Sequence, residues 1–147
     1  MTLCGTLRLS DETERRTVGK FKELIIDNAE TFRRHFRVDL FAGSLNVDVP
    51  YPPLLQADLD AGRPSPTIVI PRNELIHMPD YIGDGQAWEC DLKCAKFPTA
   101  ISCWIFRRKG SRVPPGVIEI VACNALVEPF KLKHGDKVTI DVFSQRS

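Results

Sequence analysis

The stretch Phe41-Ala42-Gly43-Ser44-Leu45-Asn46-Val47-Asp48-Val49 sets the reading of the chain. From Ser44 onward it alternates: Leu45, Val47 and Val49 share one face, and Ser44, Asn46 and Asp48 share the other, as a half-buried β-strand requires. Ser44 and Asn46 are short oxygen donors standing side by side, next to a glycine that lets a ligand approach the backbone. A hard cation such as Mg²⁺, which takes a few oxygen ligands and keeps its waters, suits that pair. The same letters also spell a plain turn running into a strand, and the local sequence does not separate the two.

Outward from this stretch, short strands dominate. Leu3 to Leu9 alternates weakly and reads as a first strand, followed by a polar, charged loop from Ser10 to Lys20. Asp27 to Phe36 carries Ala29, Phe32 and Phe36 at helical spacing, with Asp27 or Asn28 as N-cap and Arg33, Arg34 and Arg37 on the opposite, solvated face. Pro50 to Pro66 holds five prolines and one glycine in seventeen residues, which forbids a central strand and predicts an extended loop with a short helical turn near Leu54 to Leu59. Thr67 to Pro71 reads as a short strand, and Asn73 to Asp84 as a segment containing a turn. Ala87 to Lys96 and Ile101 to Arg107 read as paired strands, Val117 to Cys123 as an apolar strand, Asn124 to Phe130 as a short helix, and Lys137 to Phe143 as a last strand after the turn His134-Gly135-Asp136. Six or seven short strands with few helices predict a mainly β, closed or nearly closed barrel, with a sandwich as the alternative.

Composition bounds the function. A chain of 147 residues with 43% hydrophobic and 27% charged residues is most simply one domain, residues 1–147, with a real core. The net charge of +1 gives no global field toward nucleic acid or an anionic membrane, and no apolar run has membrane-spanning length. No basic region followed by an apolar stretch opens the chain, so no signal peptide is expected. Five cysteines, Cys4, Cys90, Cys94, Cys103 and Cys123, mostly among apolar residues, read as reduced core thiols of a cytoplasmic protein. A zinc site built on Cys90 and Cys94 would need two further ligands, and His77, Cys103 and Cys123 lack regular spacing.

Three groups carry chemistry. Glu119 interrupts the apolar run Val117-Ile118-Glu119-Ile120-Val121-Ala122; it either faces solvent from an edge strand or faces a cavity, where it could accept a proton from a substrate hydroxyl. Basic clusters at Arg15-Arg16 and Arg107-Arg108-Lys109, the latter running into Gly110-Ser111, are either solvated loop charge or phosphate contacts. His35, His77 and His134 have no partner at a catalytic spacing, and no Walker A, kinase glycine-loop or G-x-S-x-G pattern is present.

Together the motifs resemble the archaeal CTP-dependent riboflavin kinases, whose domain is a six-stranded cradle-loop barrel. Phe41 to Val47 resembles the family's aromatic-x-Gly-Thr-Leu-Asn motif, Val117 to Ala122 its Ile-Glu-Ile-Ile-Ala strand, and Leu126 to Val142 its closing Leu-Lys-Asp-Gly-Asp turn and strand. The resemblance implies Mg²⁺ at Ser44 and Asn46, and flavin contacts from Ser111 and Glu119, with Glu119 as the catalytic carboxylate. It implies nucleotide contacts from Arg15, Arg16, Gly19 and Lys20 and from Leu126 and Glu128. The implied reaction forms FMN from riboflavin, with CTP or another nucleotide as donor. The departures lie in the donor half: of a run of three glycines only Gly19 remains, and Leu-Arg-Glu reads Leu126-Val127-Glu128. A non-catalytic flavin- or nucleotide-binding barrel is the second reading. Both imply small-molecule ligands, no nucleic acid, no membrane, and a monomer or small homo-oligomer.

Overall fold

The alternation read from the opening stretch is realised in the computed structural model, which describes residues 1–9, 22–50, 61–76, 83–114 and 116–143. Leu45 and Val47 are buried, while Asn46 and Asp48 are half-buried, along strand β2 (Leu45–Asp48). β1 (Thr2–Arg8) and β6 (Val117–Val121) flank β2, both antiparallel to it. β4 (Gly85–Cys94) and β5 (Ile101–Arg108) pair over eight residues, from Gly85↔Arg108 to Leu92↔Ile101. β5 joins β6, and β1 joins β7 (Lys137–Val142).

The sheet then closes, because β7 also pairs with β4 from Cys90↔Val142 to Cys94↔Val138. The ring runs β4-β5-β6-β2-β1-β7 and back to β4. A short seventh strand, β3 (Ile68–Ile70), is added on the Gly85–Ala87 end of β4. One long strand thus offers two stretches of the same edge to different partners. Each of the six ring strands thus has a paired neighbour on both sides, the solution all-β proteins use to satisfy strand N–H and C=O groups.

Two cores follow from the period of two. Inward positions from all six ring strands, among them Leu3, Val47, Trp88, Cys103, Ile120 and Ile140, fill the ring. The alternate positions of one wall, Ala87, Phe106 and Val121 with the half-buried Trp104, form a second core on the outer face. That wall is covered by a helical turn at 22–27 and helix α1 (Ala29–Phe36). Phe32 lies 5.7 Å from Phe106 and Phe36 lies 5.1 Å from Trp104, both edge-to-face, the favoured geometry for aromatic pairs.

The helix differs from its expectation in three ways. Helical structure begins at 22, so the buried stripe is Leu24, Ile25, Asn28, Phe32 and Phe36, and Ala29 is exposed. Asn28 makes no capping bond. It is buried at the junction, where its amide donates to the carbonyls of Leu24 (3.0 Å) and Ile76 (3.3 Å) and accepts from the Ile76 N–H (2.8 Å). This ties the helix to the segment after the 3₁₀ turn Arg72–Glu74. Arg33, Arg34 and Arg37 are exposed as expected; Arg33 pairs with Asp39 and Arg34 with Glu74.

The short helix α2 (Val127–Phe130) begins three residues later than Asn124. The turn expected near Leu54 to Leu59 lies outside the described residues. Of the thiols, Cys90 and Cys103 face each other inside the ring with Sγ atoms 3.5 Å apart, and that contact together with burial pushes the Cys90 thiol far up. Cys94 is half-buried and packs against the ring core, whereas Cys4 and Cys123 are exposed, against the expectation of core thiols: Cys4 takes the outward position after the inward Leu3 on β1, and Cys123 lies in the loop after β6. Among the described residues no helix is long and apolar enough to cross a membrane, and no three His, Cys, Asp or Glu side chains cluster to hold a metal.

Candidate active site

Strand register brings the two halves of the opening reading together. Asn46 on β2 is the direct Cα partner of Glu119 on β6, across an antiparallel ladder that also pairs Leu45 with Ile120. Leu45 and Ile120 point into the ring, so Asn46 and Glu119 stand on the outer face, the side that carries Val121 and Phe106. Directly opposed residues have Cβ atoms about 5 Å apart. Glu119 is therefore not an exposed edge residue: β6 lies between β5 and β2. Burial raises the Glu119 carboxyl above the ordinary carboxylate range, while Arg108 and then Arg107 pull it back down.

The oxygen donors of the motif are buried without partners. Among the described residues neither Ser44 Oγ nor Asn46 Oδ1 has a hydrogen-bond partner, although each is shielded from solvent. Burying such an atom unpaired costs about 1–3 kcal/mol, so a plain turn does not account for two of them two positions apart in sequence. Two neutral oxygens two residues apart, the second directly opposite a carboxylate, fit a hard cation that completes its shell with water and phosphate.

Ser44 also lines a cavity of about 720 Å³ at the mouth of the ring. Phe41, Gly43, Leu45, Ile120, Ala122 and the segment Asn124 to Pro129 complete its wall, so Leu126 and Glu128 share it with Ser44. The Phe41 N–H donates to the Ala122 carbonyl (2.8 Å), which holds the motif against the end of β6. Its ring stays half-exposed at the rim, as does Val127. Asn46, Glu119 and Ser111 are not part of this lining. The four residues expected around one cavity thus divide. Ser44 faces the mouth, and the Asn46–Glu119 pair lies one step along the outer wall.

Ser111 is buried in the turn after β5, where its hydroxyl accepts from the Val113 N–H (3.2 Å). The Arg107 guanidinium donates to the Ser111 carbonyl (3.5 Å). The expected basic cluster Arg107-Arg108-Lys109 is split by alternation. Arg107 follows Cys103 and Ile105 to the inward side and is buried, whereas Arg108 follows Phe106 to the outer side. Arg107 thus holds the Ser111 carbonyl, and its charge is also felt at Glu119 on the opposite face of the sheet. Arg15, Arg16, Gly19 and Lys20 lie outside the described residues.

Local reading missed two features here. Arg8 is the direct Cα partner of Asn46 on the other side of β2, and it clasps Asp48 with Nε (3.0 Å) and Nη2 (2.8 Å). Gln86, opposite Arg107, is almost fully buried with Oε1 unpaired. Neither has a local signature, because each gains its meaning from a strand far away in sequence. His134, which has no catalytic partner in the sequence, is exposed, and its Nδ1 accepts from the Leu9 N–H (3.1 Å).

No curated protein matches the chain. Residues 25–142 match the CTP-dependent riboflavin kinase domain, also described as domain of unknown function DUF120. The match spans most of the chain and takes in Ser44, Asn46, Ser111, Glu119, Leu126 and Glu128, but it starts after Arg15 to Phe21. The motif around Gly43, the Glu119 strand and the closing turn thus sit in one matched region and one closed sheet, and the chain belongs to the CTP-dependent riboflavin kinase family.

Proposed function

We propose that the protein is a cytoplasmic Mg²⁺-dependent phosphotransferase that forms FMN from riboflavin, with a nucleoside triphosphate as donor. The observation that carries the reading is two buried oxygens without partners among the described residues, Asn46 Oδ1 directly opposite Glu119 and Ser44 Oγ two residues before it at the cavity mouth. When bound there, Mg²⁺ would offset the charge of the donor phosphates.

The other tasks fall to the chain's own residues. Glu119 takes up the proton of riboflavin's terminal ribityl hydroxyl as that oxygen attacks the terminal phosphorus. The new O–P bond forms as the bond to the departing nucleoside diphosphate breaks. A carboxyl raised by burial is a stronger base than an exposed one, which suits this role at neutral pH. Ser111, held by the Val113 N–H and by Arg107, positions the flavin side chain. Leu126 and Glu128 meet the nucleotide in the mouth cavity that Ser44 shares. Arg15, Arg16 and Lys20 supply charge toward the phosphates in place of two missing glycines.

Turnover of riboflavin with CTP, and separately with ATP, tests the reading, with and without Mg²⁺. Asn46→Ala is expected to abolish Mg²⁺-dependent FMN formation while the melting temperature stays close to the parent's, because the lost amide oxygen makes no internal bond. Full activity in that variant would overturn the site. The second reading, a binding protein without turnover, draws on one observation: the family match begins after the segment that keeps only Gly19. Saturable riboflavin binding with no FMN formed from any nucleotide would establish it.

A further inference from the structure

We infer that Arg8 is a phosphate-binding residue of this site, held in place for that role by Asp48; the inference rests on the phosphotransferase reading. Arg8 is the last residue of β1 and pairs with Asn46, which pairs in turn with Glu119. The three form one row across three strands. Directly opposed residues share a face, so the Arg8 side chain leaves the sheet on the side that carries the unpartnered Asn46 oxygen and the carboxylate.

The position is fixed from both sides. The Leu7 N–H donates to the Asp136 carbonyl (2.9 Å), the Gly135 N–H to the Leu7 carbonyl (2.8 Å), and the Leu9 N–H to His134 Nδ1 (3.1 Å). On the other flank β1 approaches β2 closely, since a Cβ on Gly5 would land on the Asp48 carbonyl oxygen. Asp48 then engages the side-on edge of the guanidinium, through Nε and Nη2. A two-point clasp sets the plane of the fork, which a single contact would leave free to turn.

Charge explains why the row needs Arg8. A triphosphate brings several negative charges to a face where Glu119 already stands opposite Asn46. Arg108 lies on the β5 side of Glu119, and Arg8 closes the other end of the row. An arginine presents a planar fork that matches phosphate oxygens, and it keeps its charge at any working pH.

The test uses inorganic tripolyphosphate with Mg²⁺ and, in parallel, riboflavin followed by fluorescence quenching, on the full chain. Arg8→Ala should weaken tripolyphosphate binding about 10- to 100-fold, the range set by one charge-assisted hydrogen bond or two. It should leave riboflavin affinity within about twofold and raise KM for the nucleotide but not for riboflavin. Arg8→Lys should recover part of the loss, since it keeps the charge without the fork. The double variant Arg8→Ala with Asp48→Asn removes the unpaired carboxylate, so a folding defect of the single variant does not hide the result. Tripolyphosphate binding equal to the parent's in either folded variant overturns the inference, as does a parent that binds riboflavin but no tripolyphosphate. Failure of the kinase reading looks different: the parent would form no FMN, while tripolyphosphate binding would still report on Arg8.

Discussion

Glu119 is the residue whose chemistry its surroundings change most. Its carboxyl is raised by burial, so the folded chain holds that proton more tightly than the unfolded chain does. Stability from this group is therefore lost as pH rises from the ordinary carboxylate value through the raised one, and the penalty is fully present above it. Glu74, Asp136 and Asp141 are shifted downward by hydrogen-bonded partners and act in the opposite sense. Glu119→Gln isolates the first effect. Between about pH 4 and pH 8 the melting temperature of Glu119→Gln should rise relative to the parent's, while FMN formation is lost. A constant difference across that range would mean that Glu119 ionises as an ordinary surface carboxylate. The sequence could mark Glu119 as an interruption in an apolar run, but it could not place Asn46 opposite it.

At the scale of elements, helix α1 decides what the outer wall becomes. Its buried stripe covers Phe106, Val121 and Trp104, the wall that continues along β6 to Glu119. Phe32 is among the most buried side chains and contacts both Phe36 and Phe106. Phe32→Ala should therefore cost about 3–5 kcal/mol, read by urea unfolding. Less than about 1 kcal/mol would show that the helix is only loosely seated. The spacing of Phe32 and Phe36 was legible as a helix, and both are buried as expected. Ala29 was assigned to the same face and is exposed, because the helical run starts earlier and its stripe is set by Leu24, Ile25 and Asn28. Propensity could not reveal that Asn28 serves a tertiary bracket to Ile76 in place of a cap.

For the whole molecule, the closed ring and the added strand differ in how they are held. Each of the six ring strands pairs on both sides, whereas β3, among the described residues, pairs only with β4, over three residues. Hydrogen exchange should show the paired amides of β1, β2 and β5 opening together near the global unfolding free energy, with β3 exchanging earlier through local opening. Equal protection of β3 and the ring would contradict that division. The amino-acid sequence by itself determined the alternating strands, the hairpin of β4 and β5, the helical spacing and the oxygen pair Ser44 and Asn46, since each is a short-range pattern of period two or 3.6. Only the tertiary structure decided which strand lies beside which. It put Glu119 and Arg8 on either side of Asn46, divided Arg107 from Arg108, and let β4 close the ring on β7. Those choices depend on register between segments up to 139 positions apart, from Thr2 to Asp141. Register is fixed by burying two cores at once and satisfying every edge, conditions that no local window contains.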